Sequence, residues 1–188
     1  METEIKILKF MLLDDRKPRT IREISIKIKA DYKIVHTASK RLVEKKLLKE
    51  TRIGKSILLE LTGKFSKEIF EAEYQRREEL LKNKNFRLIF QALEEPNFQF
   101  VALIFGSYAK GKASDRSDID LMIISEKEKE RAIENLLSNF SLNIHLLFFS
   151  YEEFLQMKNS KELSVVSEAL KNNIILINIE DYYRLLKC

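Results

Sequence analysis

Cysteine is almost missing from this sequence. The one example, Cys188, rules out an internal disulfide and fits a reducing compartment. Proline occurs twice and glycine four times, too few for long disordered linkers. No apolar run approaches the ~20 residues a membrane-spanning helix needs. The start, Met-Glu-Thr-Glu, lacks the basic region and apolar segment of a secretory signal. These absences lead us to expect a cytoplasmic protein with no membrane partner. Internal repeats and low-complexity tracts are missing as well.

Apolar residues make up 45% of 188, enough for one or two modest cores. The charge is unevenly placed. Residues 1–61 carry a net charge of +7 and residues 62–188 a net of −2. The basic part is therefore the one to suspect of binding a polyanion.

That part also has a readable pattern. Residues 4–13 are apolar at Ile5, Leu8 and Leu12, the spacing of a helix. After a polar break at 14–18, Thr20 is placed to cap a second helix, with Glu23 as its capping-box partner. Ile21, Ile24 and Ile28 would point inward. A third helix is expected over 32–46, with Val35, Ala38 and Leu42 facing the core. Two alternating segments around Gly54 then read as a hairpin. Three helices closed by a hairpin make a winged helix-turn-helix. Thr-Ile-Arg-Glu-Ile-Ser, followed by a helix ending Arg-Leu-Val-Glu-Lys-Lys-Leu-Leu, is similar to winged-helix transcription regulators. In that fold the third helix enters the DNA major groove. Here Tyr32, Lys33, His36, Thr37 and Lys40 would face the DNA, and Arg52 and Lys55 would flank the wing tip.

Residues 64–83 are highly charged but keep Phe65, Ile69, Phe70 and Tyr74 at helical spacing. A long helix is expected, resuming over 86–93 and ended by Pro96. The division expected is 1–62 for a winged helix, 63–95 for a helical connector that could pair with its copy in a homodimer, and 96–188 for a second domain.

The second domain is organised around Phe-Gly-Ser-Tyr-Ala-Lys-Gly-Lys-Ala-Ser-Asp-Arg-Ser-Asp-Ile-Asp-Leu, residues 105–121. An apolar run at 100–105 reads as a buried strand before it, and another at 121–124 follows. Gly106 and Gly111 can take positive φ or approach a phosphate closely. Ser107 adds a hydroxyl, and a helix beginning near Tyr108 would aim N–H groups at an anion. Asp118 and Asp120 stand at i and i+2 on an expected strand, so both carboxylates share a face. Two carboxylates beside a phosphate cradle suit Mg²⁺, which completes its shell with water and substrate phosphates.

This pattern resembles the signature of the minimal nucleotidyltransferases, in the DNA polymerase β superfamily. The resemblance covers roughly residues 97–188. It implies an α/β (α+β) domain with a small mixed sheet flanked by helices. It also implies transfer of a nucleoside monophosphate from ATP or another NTP with two Mg²⁺ ions. On that pattern Gly106, Ser107, Gly111 and Ser117 hold the nucleotide, and Asp118 and Asp120 are the catalytic metal ligands. Active members place a third carboxylate on the strand after the next helix. That strand, expected over 141–149, reads Ser-Leu-Asn-Ile-His-Leu-Leu-Phe-Phe. Asn143 and His145 share one face and are the candidates for the third position. The resemblance further implies AMP transfer to a protein, with a separate HEPN-domain chain as partner in a toxin–antitoxin pair. The alternative is a degenerate transferase domain that senses nucleotide or dimerises beneath a winged-helix transcription regulator.

Overall fold

The computed structural model describes residues 1–13, 17–114, 117–160 and 164–187. Most of the expected polar break at 14–18, Asp115 and Arg116 of the central motif, the start of a helix that the sequence predicts over 162–171, and Cys188 lie outside the described residues. The chain divides into two compact units, Met1–Gln75 and Arg76–Cys188.

In the first unit, α1 (Glu2–Met11) buries Ile5, Ile7, Leu8 and Met11 on one side. A two-residue strand, β1 (Arg19–Thr20), leads into α2 (Ile21–Lys27). The Thr20 hydroxyl accepts the Glu23 N–H at 3.0 Å and so caps α2. The expected capping box is only half made, because the Glu23 carboxylate takes the Arg19 guanidinium at 2.7 Å. Asp31 caps α3 (Tyr32–Glu44) by accepting the Lys33 N–H at 2.8 Å. Val35, Ala38 and Leu42 of α3 are buried, as their spacing requires. Strands β2 (Leu48–Ile53) and β3 (Ser56–Leu61) form an antiparallel hairpin, with Gly54 at φ +58° in its turn. β1 pairs with the other side of β3, giving a three-stranded sheet in the order β1-β3-β2.

One acid organises this unit. Glu4 of α1 is buried, and its carboxylate accepts from Lys45 at 2.9 Å and Arg41 at 3.4 Å, both at the end of α3. Burial pushes the Glu4 carboxyl up, but Lys45 and Arg41 outweigh it and the net shift is downward. Lys45 also donates to Glu68 at 2.9 Å.

Glu68 lies in α4 (Lys67–Leu80), which runs through the boundary between the units. The helix expected over 64–83 spans Lys67–Leu80, and a second helix resumes after a break, as expected. Asn83 caps a separate α5 (Lys84–Leu93) by accepting the Asn85 N–H at 2.9 Å.

The second unit then runs β4 (Val101–Ile104), α6 (Gly106–Ala109), β5 (Ile119–Ile124), a 3₁₀ turn (Lys127–Lys129), α7 (Glu130–Ser138) and β6 (Ile144–Phe149). It closes with α8 (Tyr151–Asn159), α9 (Val165–Lys171), β7 (Ile174–Ile177) and α10 (Ile179–Lys187). The sheet order is β6-β5-β4-β7, with β5 and β6 parallel and the other pairs antiparallel. A parallel pair needs a crossover, and α7 supplies it. Ile133 and Leu137, one turn apart on α7, are buried in the core, whereas Ala132, which an amphipathic helix read from the sequence over 126–139 would set on the same face, is exposed. β4 is buried at all four positions, and β5 from Leu121 to Ile124, so these strands read as unbroken apolar runs. The domain is thus α+β with a small mixed sheet. β6 begins at Ile144 rather than Ser141, and β7 ends at Ile177, before Asn178 at φ +58°, short of the strand that the apolar run 174–179 predicts.

Candidate active site

The buried strands β4 and β5 place the central motif at one end of the sheet. β4 ends at Ile104 directly opposite Leu121 of β5, and the Phe105 N–H donates to the Asp120 carbonyl at 3.0 Å. The chain then turns at Gly106, where φ is +67°. A Cβ built on Gly106 would lie 2.0 Å from Oδ2 of Asp120, closer than any side chain tolerates. Gly106 is therefore required twice, by its backbone conformation and by the carboxylate beside it. Gly111 differs. Its φ is +64°, but a Cβ there would meet nothing within 4 Å. Its positive φ serves the turn, and no part of the chain crowds it.

Residues 106–112 form a tight turn closed by main-chain bonds, Lys110 N–H to the Gly106 carbonyl at 3.2 Å and Lys112 N–H to the Ser107 carbonyl at 3.0 Å. Ser107, in α6, is half-buried. The Ser117 hydroxyl accepts the Ser114 N–H at 2.9 Å, so it helps hold the loop as well as facing outward. Tyr108 pins the same loop. Its ring packs edge-on against Phe86, and its hydroxyl donates to the Ser117 carbonyl at 3.4 Å. Lys110 forms an ion pair with Glu168 of α9. Residues separated by that much chain give no signal of pairing in the sequence, so neither Lys110 nor Tyr108 was foreseen in these roles.

Asp118 is exposed, one residue before β5, and Asp120 is partly buried within it. β6 brings the third participant. Asp120 and His145 are register partners across the parallel pair, and His145 Nδ1 lies 3.2 Å from Asp120 Oδ1. Asn143 is placed differently. It precedes β6, its carbonyl accepts the Ile119 N–H at 2.8 Å, and its side chain is exposed. Of the two candidates for the third position, His145 is the one beside Asp120. Glu153, the nearest acid after β6 with a fixed role, caps α8. Its carboxylate accepts the Ser150 N–H at 2.8 Å, and that bond holds its carboxyl below the usual range.

This constellation matches a known family. The family model described as polymerase β, nucleotidyltransferase matches residues 88–182. The chain belongs to the polymerase β nucleotidyltransferase family. No curated protein matches it, and no solved structure matches it either. Members of this family generally use an NTP and Mg²⁺.

The residues present fit one such cation in part. Asp118 and Asp120 supply oxygen donors of the kind Mg²⁺ takes, and Gly106 keeps space open for the Asp120 carboxylate. Among the described residues, no group of three or more His, Cys, Asp or Glu side chains is arranged to hold a metal ion. Phosphate and water oxygens would therefore have to complete the shell. A bound divalent cation would supply charge neutralisation at the phosphates. The chain's own contribution is positional, because buried strands fix Asp120 and His145 in register.

The face of the first unit foreseen as meeting DNA is largely solvent-exposed. Tyr32, Lys33, Thr37 and Lys40 are exposed on α3, and His36 is half-buried with its ring stacked 6.2 Å from that of Tyr32. The Thr37 hydroxyl donates to the Lys33 carbonyl at 2.9 Å. Arg52 and Lys55 are exposed at the hairpin tip, with Arg52 held by Glu50 at 3.1 Å. Ile34, 55% exposed on the same helix, was not foreseen. No helix among the described residues is long and apolar enough to cross a membrane.

Proposed function

We propose that the second unit binds ATP or another NTP with Mg²⁺ through Gly106, Ser107, Gly111 and Ser117, with Asp118 and Asp120 as the metal ligands. It transfers the nucleoside monophosphate to a hydroxyl on a protein acceptor: the acceptor oxygen bonds to the α-phosphorus, pyrophosphate leaves and the hydroxyl proton passes to water. The observation that carries this reading is the Asp120 carboxylate seated against a glycine whose Cβ it would exclude. The acceptor is a separate HEPN-domain chain, in the manner of an antitoxin acting on its toxin. In the same reading the first unit is a winged helix-turn-helix that binds DNA and acts in transcription regulation. Its support is the order of three helices and a hairpin-centred sheet, the net positive charge of residues 1–61, and the exposed Lys33 and Lys40. The protein works as a homodimer in the cytoplasm, with residues 63–95 as connector.

A second reading has its own motive. β6 (Ile-His-Leu-Leu-Phe-Phe) contains no acid, and a two-metal transfer with one negative charge fewer should be slow. The second unit would then be a degenerate transferase domain that senses nucleotide or dimerises.

One calorimetric experiment addresses both. ATP is titrated into wild type and an Asp118→Ala/Asp120→Ala variant, with and without Mg²⁺. Metal-dependent binding lost in the variant is expected, and no binding in either protein would sink the nucleotide site. Label on the α-phosphate then separates the readings: movement onto protein favours transfer, and binding without movement favours the sensor.

A further inference from the structure

The histidine opposite Asp120 changes which metal the site should prefer. His145 Nδ1 and Asp120 Oδ1 are 3.2 Å apart. Adjacent corners of an octahedron with bonds of about 2.1 Å lie about 3.0 Å apart, so one ion could be held between these two atoms with little movement. The pair is preset. Leu121 is fully buried in β5 next to Asp120, and β5 and β6 stay in register from Ile119↔Ile144 to Ile124↔Phe149. A slip of one residue would turn buried side chains to solvent. The imidazole itself is accessible, 60% exposed.

The donor chemistry then decides. Mg²⁺ takes oxygen ligands and depends on carboxylate charge. An imidazole beside one carboxylate is a poorer site for it; nitrogen suits the later first-row ions best, and Mn²⁺, though it also takes oxygen ligands, is a softer ion than Mg²⁺ and loses less by accepting one nitrogen. We propose that Asp120 and His145 together chelate a divalent transition-metal ion, with Mn²⁺ preferred to Mg²⁺ when nucleotide is bound. This rests on the nucleotide-site reading above and names the metal that the site selects.

The test uses the full chain with ATP and Mn²⁺. Free Mn²⁺ is followed by electron paramagnetic resonance during Mg²⁺ competition, and bound Mn²⁺ is examined for coupling to a ligating nitrogen. Wild type should show imidazole ¹⁴N coupling. His145→Gln should lose it, and His36→Gln, which removes the other of the two histidines, should keep it. The preference for Mn²⁺ over Mg²⁺ should fall at least about tenfold in His145→Asp, the range by which changes around a metal alter its affinity. Unfolding midpoints of the variants check that an exposed substitution leaves the fold intact. Absence of nitrogen coupling in wild type, or a metal preference unchanged in both His145→Gln and His145→Asp, would overturn the proposal. If ATP still binds through Asp118 and Asp120 in that case, only this inference falls. If neither ATP nor any divalent ion binds, the nucleotide-site reading falls with it.

Discussion

The paired acids of the first unit and the acids of the central motif in the second are handled in opposite ways. In the first, Glu4, Glu23, Glu50 and Glu68 each lie within 3.1 Å of a lysine or arginine nitrogen. In the second, the acids of the central motif have no such partner among the described residues, and Asp120 faces a histidine instead. An acid already matched by a fixed cation adds to stability. An acid held in place without one forgoes that gain but stays open to a mobile cation and the phosphates it carries. The difference separates acids that build the protein from acids that can act.

The sharpest way to break this comparison is at Gly106. Gly106→Ala forces a Cβ to within 2.0 Å of the Asp120 carboxylate at a backbone φ of +67°. Overpacking and left-handed strain together should cost about 2–4 kcal/mol in urea unfolding, and metal-dependent ATP binding should disappear. Gly111→Ala is the control. Its φ is similar but no atom of the chain lies within 4 Å of the added Cβ, so a cost of only about 1 kcal/mol is expected in the same unfolding measurement. Equal costs at the two positions would mean that Asp120 is not held against Gly106.

The first unit offers a second contrast, between cations matched by acids and cations left exposed. Lys33 and Lys40 belong to the exposed group. If they meet phosphates, replacing both by Gln should reduce the salt slope of DNA binding by about 2, nearly one for each contact removed. Lys45, matched by Glu4 and Glu68, should leave that slope unaltered when changed to Met. A slope that responds to Lys45 and not to the exposed pair would move the DNA face away from the N-terminal half of α3.

How much of this was legible beforehand follows the range of the interactions. Val35, Ala38 and Leu42 were placed from helical spacing, and the strand–turn–strand around Gly106 from two apolar runs and a glycine, because both signals are local. The family match confined to residues 88–182 fits that motif. The reason for Gly106 was not legible. The sequence pointed to a phosphate, and beside that expectation the structure sets a carboxylate fourteen residues away in sequence, brought in by β-pairing. His145 could be placed on the right strand from alternation, but only the parallel register chose it over Asn143. Glu4 gave no warning, since a glutamate in the first turn of a helix ordinarily faces water. Its burial depends on Arg41 and Lys45, residues of a different helix end.

The smallest effect expected is a pH dependence, and it tests whether the matched acids do stabilise. The hydrogen bond from Lys45, with help from the helix-start main chain and Ser66, pulls the Glu68 carboxyl down to about 2 from an ordinary 4.5. A carboxyl held lower in the folded state stabilises the fold above its unfolded value. That contribution is lost as pH falls from about 4.5 through about 2. Glu68 is 24% exposed and Lys45 42%, so water screens the pair and the share lost should be about 1 kcal/mol rather than the full shift. Urea midpoints at about pH 5.5 and about pH 3, conditions chosen to straddle the upper part of that window, should therefore diverge more in wild type than in Glu68→Gln. Glu4, lowered by the same lysine, titrates in the same direction and remains in the variant, so the difference between the two proteins isolates Glu68. If the variant lost as much stability on acidification as wild type, the Lys45–Glu68 contact would be a surface pairing without energetic weight. The contrast would then rest on Glu4, Glu23 and Glu50.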